Sequence, residues 1–325
     1  MKPLMFIIRL AAAAVSVAAI SSQAAAQAEY PARPITLVVP FSAGGQFDFL
    51  GRLVASSMSK NLGQEIIVEN VSGGGGNVGG AKVANAKPDG YTLLQYGGNL
   101  AIAKELTSNL AYDPVGSFIP VAPISIAPHV VLMNNSLPVK DFKDLVNYAK
   151  AHPDRINYAT PGVGTSMHLT FEEIRELFDF PATHIPYRGG SNALNDLASG
   201  QVQLGIVAVA PALPFIQSGK IRALAVTGES RAPSLPDVPT ISELGHQGFS
   251  SGSWAGIAVP KGTPQAIVDR LAKAVSAAIN DPQVSKRLEE LSFTPLQGAS
   301  ADLKARIDDE ARRYGPIIAK LGLKN

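Results

Sequence analysis

Apolar residues along the chain switch repeatedly between a strand period and a helix period. Ile35-Thr36-Leu37-Val38-Val39 is a β-branched run of the kind that fills a buried parallel strand. It runs into Pro40-Phe41-Ser42-Ala43-Gly44-Gly45, after which Leu50, Leu53, Val54 and Met58 recur at helical steps, with Gly63 at a C-cap position. The unit then repeats. A strand over 65–69 ends in the glycine stretch 73–80, and the Pro88-Asp89-Gly90 turn leads into a strand over 91–96 and a helix from about 99 to 106. Residues 118–133 read as two apolar pieces broken by Pro120, Pro123 and Pro128, an extended segment suited to crossing between domains. A helix over 141–151, a strand over 156–159, the loop 160–166 and a helix carrying Leu169, Ile174 and Leu177 follow. Next come strands at 183–186, 202–209 and 221–227, with a helix at 192–198 between the first two.

The proline-rich stretch 232–239 reads as a linker, and 253–259 as a second crossing strand. Helices over 264–279, 283–291 and 301–321 are expected to pack back onto the first half. The pattern predicts an α/β protein of two lobes, each a mostly parallel sheet flanked by helices, with the two crossing strands as hinge. Lobe 1 is expected to comprise 29–125 and 240–325, and lobe 2 126–239.

The N-terminus changes the cellular setting. Lys2 and Arg9 precede an apolar run over 10–20, and Ala26-Gln27-Ala28 is a small-x-small site before Glu29. Residues 1–28 therefore read as a cleaved secretory signal peptide, too short to span a bilayer, and the mature protein is placed in the periplasm. Of 28 basic residues the signal removes two, leaving as many as the 26 acidic ones. A near-neutral chain argues against nucleic acid, so any anion site must be local. The absence of cysteine excludes disulfides, thiolate metal sites, a thiol nucleophile and a lipidated cysteine. Roughly 300 mature residues exceed what one core usually serves, which again implies two domains.

Two turns carry the candidate chemistry. At Ser42-Ala43-Gly44-Gly45 a strand delivers the chain to a helix start, where unpaired N–H groups and the helix dipole favour an anion. The turn is either a carboxylate or phosphate cradle or a plain strand-to-helix connection. Asp48 in the first helical turn is expected to fix the loop by accepting backbone N–H bonds, the alternative being contact with a ligand ammonium. Thr160-Pro161-Gly162-Val163-Gly164-Thr165-Ser166 repeats the device in the other half, and two such turns point to a ligand cleft. Arg188, between a strand and a glycine pair, is either a counter-charge in that cleft or a solvated side chain.

Other chemistry finds less support. Gly74, Gly76 and Gly79 match G-x-G-x-x-G, but the next strand ends in Gly97-Gly98-Asn99 without the acid a dinucleotide site needs. The five histidines lack metal-ligand spacing, so neither metal nor cofactor is expected. Ser166 and His168 lie two apart on a helix and so point to different faces, which argues against a hydrolase.

Several segments together resemble the Bug family, the extracytoplasmic solute receptors of tripartite tricarboxylate transporters. They include Tyr30-Pro31-Ala32-Arg33-Pro34-Ile35, Val39 to Gly45 with Asp48, Pro88-Asp89-Gly90-Tyr91, Leu137-Pro138-Val139-Lys140 and Pro186-Tyr187-Arg188-Gly189-Gly190. Gly219-Lys220-Ile221-Arg222 and Leu235-Pro236-Asp237-Val238-Pro239 continue the similarity, which runs in order from about Tyr30 to the C-terminus. The resemblance implies a two-lobed type II periplasmic binding protein, monomeric and non-enzymatic, that closes on a solute and hands it to membrane permease subunits. It also implies that a solute carboxylate is held by Ser42, Ala43, Gly44, Gly45 and Asp48 in one lobe and by Thr160, Gly162, Gly164, Thr165 and Ser166 in the other. A receptor feeding a membrane sensor kinase would use the same closure.

Three departures bear on the ligand. Ser42 stands where many members have proline, Phe47 where they have a small or polar residue, and Val207-Ala208-Val209-Ala210 where they often carry an acid and a polar residue. Phe47 is expected to narrow the cleft or stack on a ring, and the 207–210 wall to be apolar. Both favour a carboxylate with an apolar body over citrate.

Overall fold

The computed structural model describes residues 30–187 and 189–324, so the signal segment expected at 1–28 lies outside the described residues. The chain begins with β1 (Ile35–Val39), α1 (Gln46–Leu62), β2 (Ile66–Asn70), α2 (Asn77–Ala84) and β3 (Thr92–Gly97). Two short helices, α3 (Gly98–Ala101) and α4 (Ala103–Leu106), lead to the long strand β4 (Phe118–Asn134). The second half carries α5 (Phe142–Ala151), β5 (Asn157–Thr160), α6 (Ser166–Leu177), β6 (Thr183–Pro186), α7 (Gly190–Ser199), β7 (Leu204–Ala208), α8 (Val209–Gln217) and β8 (Ile221–Val226). It closes with β9 (Gly252–Pro260), α9 (Gln265–Ile279), α10 (Pro282–Glu290), the two-residue β10 (Thr294–Pro295) and α11 (Ser300–Lys320).

The strands lie in the order β2-β1-β3-β9-β4-β7-β5-β6, with β8 and β10 also paired to β4. β1, β2 and β3 are mutually parallel, as are β7, β5 and β6. Strand β4 joins the two lobes. From Phe118 to Pro128 it pairs with β9, and from His129 to Asn134 it pairs with β7 and β8. The two apolar pieces are thus one continuous 17-residue strand. Pro120 and Pro123 are accommodated where the register shifts, between Pro120 and Ala122 and between Pro123 and Ser125, because a bulge frees the strand from the ladder donor that proline lacks, and Pro128 falls at the last pair of this ladder.

The second passage between lobes differs from the strand expected at 253–259. Strand β9 begins at Gly252, opposite Pro128, where β4 leaves the first ladder, so it lies wholly in the first sheet. The chain returns to it through irregular segment 227–251, tied down by the Ser251 N–H to the Thr227 carbonyl and the Thr227 N–H to the His129 carbonyl. Helix α8 is also new, occupying the end of what reads as a strand at 202–209. Its Pro211 falls in the first turn, where a missing N–H costs nothing.

Each sheet is covered on both faces. Leu37, Leu50, Met58 and Val275 belong to one cluster on the first sheet, and Val38, Tyr96, Trp254 and Leu303 to the other. The second sheet is sandwiched between the clusters of Tyr158 with Phe171 and of Leu194 with Val207. A smaller cluster unites Ile102, Leu169, Tyr314, Ile317 and Ile318, so α11 packs against both lobes.

Candidate functional site

Strand β1 ends by delivering residues 40–45 to the start of α1. Gly44 has φ +78°, a left-handed conformation that a side chain strains, and its N–H donates to Asp48 Oδ2 at 2.8 Å. Asp48 is 5% exposed, and its Oδ1 accepts from Asn70 Nδ2 at 2.9 Å and from Arg52 Nε at 3.0 Å. Burial pushes the carboxyl pKa up, but the Gly44 N–H, Arg52 and Asn70 outweigh it and hold it below the ordinary range. Asn70 also donates to the Phe41 carbonyl at 3.1 Å. Asp48 is therefore a bracket inside the turn, with both oxygens occupied. Ser42, Ala43, Gly44 and Gly45 are exposed, and no side chain caps α1. The first-turn N–H groups of that helix are open to an anion.

In the second lobe, β5 ends at Thr160, whose buried Oγ1 lies 2.7 Å from His184 Nε2 and accepts the Gly162 N–H at 3.3 Å. Thr165 caps α6: its Oγ1 donates to the Gly162 carbonyl at 2.8 Å and accepts the His168 N–H at 3.3 Å. The Gly164 N–H donates to His168 Nδ1 at 3.1 Å. The His168 and His184 rings stack with centroids 3.9 Å apart. Burial lowers the pKa of both, that of His184 to about 4 with the neighbouring His168 adding to it. Both threonine hydroxyls are thus spent on holding the loop.

Ser166 opens α6 toward the hinge. Its Oγ is 3.0 Å from Ser253 Oγ on β9 and 3.4 Å from His129 Nε2 on β4. The histidine beside Ser166 is therefore His129 rather than His168. His129 is fully buried, with burial lowering its pKa to about 3, and its Nδ1 has no hydrogen-bond partner.

A cavity of about 780 Å³ lies between the second-lobe turn and Phe41, the residue that leads into the first turn. Phe41, Val78 and Leu106 line it on one side, and Val163, Gly164 and Thr165 on the other. Ser42 to Gly45 adjoin it through Phe41. Phe47 does not face it: the ring stacks on Phe41 at 4.7 Å, packed against the core of the first lobe. Val207, Ala208 and Val209 likewise turn into the second-lobe core, each at most 3% exposed. The apolar wall comes instead from Phe41, Val78, Leu106 and Val163. Phe41 is visible within the sequence motif, whereas Leu106 carries no local signal because only the packing of α4 brings it to the cleft. Arg188 lies outside the described residues. Among the described residues no group of three or more His, Cys, Asp or Glu could hold a metal, and no helix is long and apolar enough to cross a membrane. A second cavity, about 340 Å³, is lined by 228–233 and 292–296 behind the hinge and shares no residue with either glycine turn.

Residues 50–323 match the model of the tripartite tricarboxylate transporter family receptor. The chain belongs to this receptor family. Among curated relatives, the receptor is 36% identical over 302 residues to a UPF0065 protein of Agrobacterium vitis, covering 92% of this chain and 87% of the relative. It is 31% identical to the protein BugT of Bordetella pertussis, covering 91% of each. Among solved structures it superposes on the periplasmic binding protein BugD with TM-score 0.74 at 36% identity, covering 91% of this chain and 99% of that one. An R. palustris protein with adipate superposes with TM-score 0.76 at 34% identity, covering 90% and 98%. MatC from Rhodopseudomonas palustris with bound malate gives 0.73 at 35%, covering 89% and 100%. The receptor thus has the mixed α/β fold of periplasmic solute-binding proteins.

Proposed function

We propose that this receptor captures an organic carboxylate between its lobes in the periplasm and presents it to the permease subunits of a tripartite transporter, acting as a non-catalytic monomer. One observation carries the reading: Gly164 and Thr165 at the start of one helix and Phe41, directly before the glycine turn that starts another, line a single cavity from opposite lobes. Solved relatives with adipate and malate support the solute class. The carboxylate would be held by backbone N–H groups at Ser42, Ala43 and Gly45 and at the start of α6, while Asp48, Thr160 and Thr165 keep those groups in position.

A hydrolytic role for Ser166 is disfavoured by His129. A histidine with pKa about 3 is a weak base at neutral pH, and its Nδ1 lacks the orienting partner that a catalytic triad requires. Ser166, His129 and Ser253 instead form a polar link between lobes at the base of the cleft.

Thermal unfolding of the protein purified from the periplasm, against mono-, di- and tricarboxylates and amino acids, tests the proposal. A ligand that binds only the folded state at 100 times its Kd stabilises by about 2.7 kcal/mol. A saturable rise in Tm with one acid is expected, and no shift with any acid overturns the reading. Loss of uptake of that acid in cells lacking the receptor checks the transport role.

A further inference from the structure

Among the described residues, the cavity between the lobes has an uncharged lining, with no Lys, Arg, His, Asp or Glu. Nearby cations are already paired, Lys104 with Asp113 at 3.0 Å and Lys82 with Glu69. Several polar side chains of the wall are also occupied: Tyr112 Oη donates to Asn77 Oδ1 at 2.9 Å, Asn77 Nδ2 to the Gly74 carbonyl at 2.8 Å, and Asn99 Nδ2 to the Gly75 carbonyl, which leaves the uncharged side chains of Thr107 and Asn109. What remains toward the cavity is largely the apolar surface of Phe41, Val78, Leu106 and Val163.

The positive potential at this site is supplied by the N-termini of α1 and α6. Each is equivalent to about half a unit charge, so the pair together balances about one anionic group. A second carboxylate would leave water for a wall with no charged side chain among the described residues, where only the uncharged Thr107 and Asn109 side chains could meet it, which disfavours it strongly.

Building on the carboxylate reading above, we infer that the solute is a monocarboxylate with an uncharged, mainly apolar body, and that acids with a second carboxylate at the far end of the molecule are rejected. The acid group sits at the helix N-termini, and the body lies against the Phe41 and Leu106 wall.

Pairs of equal length that differ only in the far carboxylate provide the test. Titration calorimetry on the protein purified from the periplasm compares hexanoate with adipate, and 4-methylbenzoate with terephthalate, with hexanamide as the uncharged control. The expected result is binding of each monocarboxylate at least tenfold tighter than its dicarboxylate, with hexanamide weaker than hexanoate. Adipate or terephthalate binding as tightly as its partner overturns this inference and leaves the carboxylate reading standing. Silence from every acid overturns both. Val163→Arg then places a cation in the wall at an exposed position. It is expected to strengthen adipate at least tenfold while hexanoate changes less. Unaltered adipate affinity in a folded Val163→Arg protein removes this cavity as the place of the solute body.

Discussion

Arg313 on α11 holds both carboxylate oxygens of Glu173 on α6, at 2.8 and 3.0 Å, across the boundary between the lobes. The same guanidinium donates to the Ser250 carbonyl at 2.8 Å, and one turn along α6 the Thr170 hydroxyl meets Ser251 Oγ at 2.6 Å and Tyr314 Oη at 3.1 Å. Lys320 pairs with Glu176 a further turn on. Residues three apart on α6 therefore face one stripe of α11, and the seam ties the second lobe to the C-terminal helix. Arg313→Ala leaves Glu173 partly buried without its partner. A loss of about 1 to 2 kcal/mol in denaturant unfolding is expected, discounted from the fully buried case because the pair retains some exposure. A double-mutant cycle with Glu173→Gln should show coupling above about 0.5 kcal/mol. Additive effects would mean that the pair contributes nothing.

Acid pH should weaken the protein through its histidines. The pKa values of His129, His168 and His184 all lie below the ordinary 6.5, chiefly through burial, those of His129 and His184 at about 3 and about 4. Below pH 6.5 the unfolded chain takes up protons that the folded chain refuses, so the histidine contribution to stability falls from about pH 6.5 toward about 3 and levels off beneath. Glu310 opposes this trend. Burial raises its pKa to about 7 despite the hydrogen bond from Trp254 Nε1 at 3.1 Å. It therefore costs stability as pH rises from 4.5 through 7. Glu310→Gln keeps the acceptor and removes the charge, so its Tm should fall more steeply on acidification than that of the wild type. Parallel Tm curves for the two proteins would contradict the assignment.

The two turn glycines should fail for different reasons. Gly164 has φ +70°, and an added Cβ would lie 3.1 Å from Leu106 Cδ2, whereas Gly44 has φ +78° with nothing within 4 Å. Gly44→Ala should cost about 1 to 2 kcal/mol of backbone strain alone. Gly164→Ala should cost more and weaken acid binding at least tenfold, with Leu106→Ala restoring part of it. Absence of any such restoration would show that the contact between lobes is unimportant.

Asp48→Ala should unlatch the first turn. It removes the acceptor for the Gly44 N–H and one of the two acceptors of the Asn70 amide, a loss of about 2 kcal/mol. Acid affinity should fall although the side chain points away from the cavity. Because the folded carboxyl pKa is depressed, its contribution is present above the unfolded value of 3.8 and disappears as pH falls further. Tm and affinity measured together on Asp48→Ala and Asp48→Asn check this, and a weakened affinity with unchanged Tm would instead mean direct ligand contact.

Much of this receptor is written locally. β-Branched runs define β1 and β7 because a strand buried on both faces needs no alternation, and the recurrence of Leu50, Val54 and Met58 marks α1 because one helical stripe must face the core. The Asp48 bracket is legible too, since donor and acceptor are four residues apart. Helix α8 escapes this logic because its prolines imitate a loop: Pro211 sits in the first turn, where its missing donor is dispensable, but Pro214 lies inside the helix, against local propensity.

Partners distant in sequence are decided only by the tertiary structure. Ser166 meets His129, 37 positions away, and Ser253, 87 away, because β9 begins at the lobe boundary beside the point where β4 passes from one ladder to the other. Phe41 rather than Phe47 reaches the cavity, Leu106 joins it on the same side, and Val163 faces them from the other lobe, since the facing of two lobes is set by the paths of β4 and α11. Short-range chemistry shaped each glycine turn and its helix start; the long-range packing of strands and helices determined that Phe41, before the first turn, and Gly164 and Thr165 of the second line one cavity with no charged side chain among the described residues.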